Sequence, residues 1–116
     1  MEFISEEMQK ANRLALADHI EKNVTDEQYY HQAFINPVTG AMCAHAHAAA
    51  IGMCGLILEK DYGPSHPDPD LSSAFVNAKH FFGYFIIDKV FDNPFISNRE
   101  QIIQALRQYT ENNLFD

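Results

Sequence analysis

Positive charge is scarce in this chain and unevenly spread. No Lys or Arg occurs between Lys22 and Lys60, and 8 basic residues stand against 16 acidic ones, a formal net charge of −8. A phosphate backbone is held by a patch of Lys and Arg, so direct nucleic-acid binding is not expected. Anionic membrane surfaces are disfavoured on the same ground. Tryptophan is absent and only two cysteines occur, too few for a disulfide-stapled scaffold and compatible with a reducing compartment. No apolar run approaches the roughly 20 residues a membrane-spanning helix needs. The opening "MEFISEEMQK" is acidic where a secretory leader would be basic and then apolar. A soluble, cytoplasmic protein is the expectation. No "GxSxG" elbow, "HExxH" pair or phosphate-cradling glycine loop is present, so no catalytic residue and no cofactor is assigned.

What is present suits one globular domain over residues 1–116. The apolar share is 47% and the charged share 21%, with nine Phe and five Tyr to fill a core. A chain of this length can bury about 65% of the surface its unfolded form exposes, without metal or disulfide staples. The pattern predicts an all-α fold, a compact irregular bundle of about five helices.

The first helix is predicted over 3–22, with Ile4, Met8, Ala11 and Ala15 on its buried face and Asn23 as a stop. Thr25 and Gln28 match a capping box that opens a second helix ending before Asn36-Pro37. A third is predicted from about Ala41 to Lys60. There Ala44, Ala48, Gly52 and Gly55 form a small-residue strip against which another helix, from the same chain or a second copy, can pack. "DYGPSHPDPD" reads as a loop. A central apolar helix follows at roughly 71–91. Ser97 and Glu100 are placed as cap and third residue of a last helix, about 98–112, burying Ile102, Ile103, Leu106 and Tyr109.

Both cysteines and two histidines fall in "GAMCAHAHAAAIGMCGLILEK". On a continuous helix Cys43, His47 and Cys54 share a side, while His45 points nearly opposite. Cys43 and Cys54 then stand about 16 Å apart along the axis, too far for a disulfide. Only Cys43 and His47, at i and i+4, have ligand spacing, and a closed zinc site needs four ligands. His31 and His80 would have to complete it. The preferred expectation is no metal site, with the cysteines as small apolar groups and His47 as a hydrogen-bonded core residue. A helical-bundle metal or small-ligand protein, possibly an enzyme, is the alternative.

The segment "DEQYYHQAF" places Asp26 and Glu27 beside Tyr29 and Tyr30. Carboxylates next to tyrosines suit docking on a basic protein, because Tyr adds apolar area and a polar tip at small entropic cost. Asp61 and Asp68, in the proline-rich loop, extend the same acidic set; the loop lacks the regular spacing of a calcium site. The expected function is therefore non-enzymatic. A small acidic domain would bind a larger basic protein and occlude its surface, as an inhibitor, immunity-type protein or phage antagonist of a nucleic-acid-handling machine does.

Overall fold

The computed structural model describes residues 4–31, 36, 38–53, 57–59, 63–65 and 74–109. The fold is all-α, as the composition predicts. Its elements are α1 (Glu6–Asn23), a 3-10 turn (Asp26–Gln28), α2 (Ala44–Ala50), α3 (Ala74–Phe82), a π-helical turn (Ile87–Phe91) and α4 (Arg99–Gln108). A short antiparallel ladder joins β1 (Ile57–Glu59) to β2 (Gly63–Ser65), pairing Ile57 with Ser65. α1 packs chiefly on α4 and then on α3. No helix among the described residues is long and apolar enough to cross a membrane.

α1 ends at Asn23 as the sequence indicates but starts at Glu6, later than the predicted residue 3. Ser5 is its cap, the Oγ accepting the Met8 N–H at 3.2 Å, and Glu6 and Glu7 occupy the positive end of the dipole. Its buried face is not the one predicted. Met8, Ala11 and Ala15 are exposed, and Gln9, Arg13, Leu16, Ala17 and Ile20 face inward. Two polar residues displace three apolar ones because α3 ends against this helix. Gln9 Nε2 donates to the His80 carbonyl (3.1 Å), Asn12 Nδ2 to Phe81 (3.0 Å) and Arg13 to Phe82 (2.6 Å). A helix C-terminus leaves four carbonyls without intrahelical donors. Here α1 supplies three of the donors.

The long central helix is interrupted. α3 stops at Phe82, and Gly83 takes φ 140°, a region that favours glycine. The chain resumes helical geometry and winds into the π turn, where the Asp92 N–H reaches the Ile87 carbonyl at 2.7 Å. Ala78, Phe82, Ile86, Ile87, Val90 and Phe91 are nevertheless all in the core. The position of the segment was read correctly; its continuity was not.

α2 is far shorter than the predicted 41–60. Cys43 precedes it as the N-cap residue, and the helix ends before Gly52, which adopts φ 81°. A Cβ built at Gly52 would meet no atom within 4 Å. The glycine is therefore required by its left-handed backbone, which costs other residues about 1–2 kcal/mol, and not by close packing. The small-residue strip shrinks to Ala44 and Ala48, both buried; Gly55 and Cys54 lie outside the described residues.

Of the predicted second helix, the described residues form only the 3-10 turn; positions 32–35 lie outside them. Gln28 Oε1 accepts the Thr25 N–H at 2.9 Å, as expected of the capping box, but Tyr29 is already extended. Its segment pairs in parallel with Met42: the Met42 N–H donates to the Gln28 carbonyl (2.9 Å) and the Tyr30 N–H to the Met42 carbonyl (3.0 Å). α4 begins one residue later than predicted. Asn98 Oδ1 accepts the Gln101 N–H at 2.9 Å, and Ser97 donates its own N–H to Gln101 Oε1 at 2.7 Å. Its four predicted core residues are all buried.

Candidate acidic groove and the histidine contacts beside it

Two of the predicted docking residues stand on one surface feature. A groove of about 360 Å³ runs along Glu21, Lys22, Asn23, Val24 and Thr25, past Asp26 and Glu27, to Arg99. α1 supplies one side, the 3-10 turn the second and the start of α4 the third. Asp26 and Glu27 sit in the first turn of the 3-10 segment. They are exposed, Asp26 by 81% of its side chain.

Lys22 and Arg99 bring positive charge into the lining, and Arg107 stands behind Glu21. Arg99 Nε donates to the Val24 carbonyl and its NH2 group to the Glu21 carbonyl (2.6 Å), closing the C-terminus of α1, while NH1 lies 4.0 Å from Asp26. Arg107 reaches back from α4 to Glu21 (3.0 Å) and Asp18 (2.9 Å). That hydrogen bond, with the Arg107 charge behind it, holds the Glu21 carboxyl below its usual range. These exposed pairs orient α4 on α1 more than they stabilise it. Neither Glu21 nor Arg99 was singled out in the sequence, because their partners lie 75 to 86 residues away.

Tyr29 does not belong to this surface. It is 9% exposed, and its hydroxyl lies 2.6 Å from His31 Nδ1. The extended backbone after Gln28 turns the ring inward, where a helix would have left it outside. Tyr30 is half-buried. Asp61 and Asp68 lie outside the described residues.

The histidines are spread among separate elements. His31 Nε2 lies 2.9 Å from the Asn93 carbonyl. A carbonyl only accepts, so Nε2–H is the donor there, and the Nε2–H tautomer leaves Nδ1 to accept a hydrogen bond from the Tyr29 hydroxyl. Burial first, then the neighbouring Cys43 sulfur, raises the Tyr29 phenol well above its ordinary value, which keeps it a donor. His47 Nε2 donates to the Gln28 carbonyl at 3.0 Å, the same oxygen that receives Met42. His45 points the other way and stacks on Phe91, centroids 5.1 Å apart. His80 is on α3, where its carbonyl is held by Gln9.

Burial pushes the Cys43 thiol up to about 11. It stays protonated at neutral pH and is poorly suited as a nucleophile. Among the described residues no three His, Cys, Asp or Glu side chains converge as a metal site would require. His31 and His47 hydrogen-bond the Asn93 and Gln28 carbonyls, and Cys43 is buried as the N-cap residue of α2.

Burial also lowers the His47 pKa from 6.5. The unfolded chain then binds a proton more readily than the folded one. Stability is complete above the unfolded value near 6.5 and is lost as the pH falls from there through the lower folded value, by at most about 1.4 kcal/mol per pH unit for one group. Urea unfolding between pH 7.5 and 5 should therefore show a shallower decline for His47→Gln, which can keep a donor towards Gln28 without titrating. Equal slopes for the two proteins would remove His47 as the source.

Comparison with protein-family models, curated proteins and solved structures gives no match.

Proposed function

We propose that this chain is a small acidic, non-enzymatic protein-binding domain of the cytoplasm that occludes a basic surface of a larger protein. An inhibitor, immunity-type protein or antagonist directed at a nucleic-acid-handling complex fits this description. The supporting observation is the groove in which Asp26 and Glu27 stand exposed, beside a Glu21 already paired with Arg107 and with Lys22 and Arg99 in the same lining. A Lys or Arg side chain entering there would meet the exposed carboxylates of Asp26 and Glu27 on the 3-10 turn. The net charge of −8 would steer the encounter and speed association.

Occlusion is favoured over imitation of a nucleic acid. The 16 carboxylates are diluted by 8 basic residues, whereas a duplex carries one charge per about 1.7 Å of axis. The metal-protein alternative loses support because, among the described residues, no three His, Cys, Asp or Glu side chains come together.

Carbodiimide cross-linking in the producing cells tests the reading, because it joins a carboxylate only to an amine in contact with it. The expected products link Glu21, Asp26 or Glu27 to lysines of a basic protein. With that protein purified, the double variant Asp26→Asn, Glu27→Gln should bind about tenfold more weakly at low salt, chiefly through slower association. Its melting temperature should be unchanged. Unaltered affinity, or cross-links confined to other surfaces, would reject the groove as the docking site.

A further inference from the structure

The loop between the π-helical turn and α4 carries an aromatic ring that the core does not use. Phe95 is 87% exposed, although Phe91 and Ile96 around it are 5% and 7% exposed. The turn beneath the ring is fixed at several points. Asn93 accepts the Phe95 N–H on Oδ1 at 2.8 Å and the Ile96 N–H on its carbonyl at 3.2 Å. That carbonyl also takes His31 Nε2, and Asn93 Nδ2 donates to the Lys89 carbonyl at 2.9 Å. Pro94 stands at the second position of the turn, where its ring presets φ. An aromatic side chain on a turn already ordered has little conformational freedom left to lose on binding.

Its location ties it to the acidic groove. Phe95 precedes Arg99 by four residues, so their Cα atoms are at most about 14 Å apart. Arg99 lines the groove and approaches Asp26. The segment following Asp26 and Glu27 is itself bonded to the turn through His31. A standard interface covers about 800 Å² per partner, a patch roughly 30 Å across, which exceeds this separation. A second copy is a poor occupant, because a two-fold contact at this face would bring two acidic grooves together in chains of net charge −8. A basic surface is complementary to it.

We infer that Phe95 is the aromatic anchor of the docking face, inserting into an apolar pocket that lies beside a Lys- or Arg-rich patch on a different protein. This rests on the acidic-docking reading above and adds the pocket to it. The ring supplies contact area that persists in salt, and the carboxylates supply steering that salt screens.

The test places the photo-reactive analogue p-benzoylphenylalanine at position 95 and irradiates the producing cells. The expected adduct is with one other protein, on a peptide where apolar residues adjoin Lys or Arg. With that protein as the probe, Phe95→Ala should weaken binding at least tenfold at both low and high salt, with an unchanged melting temperature. The Asp26→Asn, Glu27→Gln variant should lose affinity mainly at low salt. Wild-type binding by Phe95→Ala, with loss in the carboxylate variant, would overturn the anchor and leave the acidic reading standing. An adduct only with a second copy of this chain would overturn the heterologous pocket. Absence of any adduct and of any carboxylate-dependent partner would reject both.

Discussion

Arg13→Met should lower the stability of the folded chain by about 3 kcal/mol, which for a protein of this size is about 10–15 °C in melting temperature. Arg13 is only 3% exposed. Its guanidinium donates to the Phe82 carbonyl at 2.6 Å and lies 4.3 Å from the centroid of the Tyr109 ring. Methionine has a similar length and is apolar, so the change leaves little void. The loss has two sources. A buried carbonyl without its donor costs about 1–3 kcal/mol, and a desolvated cation–π contact contributes up to about 2 kcal/mol. Removing a charge from the interior works in the opposite direction, because the guanidinium no longer has to be desolvated. Urea unfolding decides which effect wins. A variant within 0.5 kcal/mol of wild type would mean that the desolvation cost cancels the bond to Phe82. Arg13→Lys should fall between the two, since an ammonium keeps the charge without the planar group that covers Tyr109.

The same arrangement separates what could be read from the sequence from what could not. α4 was legible because its pattern is local: Ile102, Ile103, Leu106 and Tyr109 mark one face, and all four are buried. The Thr25–Gln28 capping box was legible for the same reason. The buried face of α1 was not, since hydrophobicity ranks Met8 above Arg13 and nothing near position 13 shows that the end of α3 needs donors. Arg13 and Phe82 are separated by 69 residues. In the candidate site, Asp26 and Glu27 could be named from their neighbours in sequence. Arg99 could not, because it is bound to carbonyls 75 and 78 residues away. Tyr29 was misplaced by an assumed helix that stops after three residues.

A common device accounts for these misses. The ends of α1 and α3 are closed by side chains from distant elements: Arg99 for α1, and Gln9, Asn12 and Arg13 for α3, where Gly83 also turns the chain. His31 and His47 likewise bond loop carbonyls, at Asn93 and Gln28. The polar residues that a search for chemistry singles out are thus occupied in holding one element on the next. The acidic groove and the Phe95 turn present groups outward that this internal network does not bury.

Phe82→Ala should be the most damaging single truncation, at about 3–5 kcal/mol. Phe82 is fully buried, and its ring meets Phe81 and Phe91 edge-on at 5.0 and 5.7 Å between centroids. It is also the residue whose carbonyl Arg13 holds, so ring and backbone fix α3 against α1 and the π turn together. Small domains have only about 5–15 kcal/mol of stability in total, and the alanine variant would lose a large part of it. Phe82→Leu keeps most of the volume and should cost about 1.5 kcal/mol. The leucine variant therefore permits a double-mutant cycle with Arg13→Met. If the ring positions the carbonyl for Arg13, the combined loss should differ from the sum of the single losses by at least about 0.5 kcal/mol, as for residues in direct contact. Additive losses would mean that Gly83 and the α3 backbone hold the carbonyl without help from the Phe82 ring, and that Arg13 closes a helix end already fixed in place.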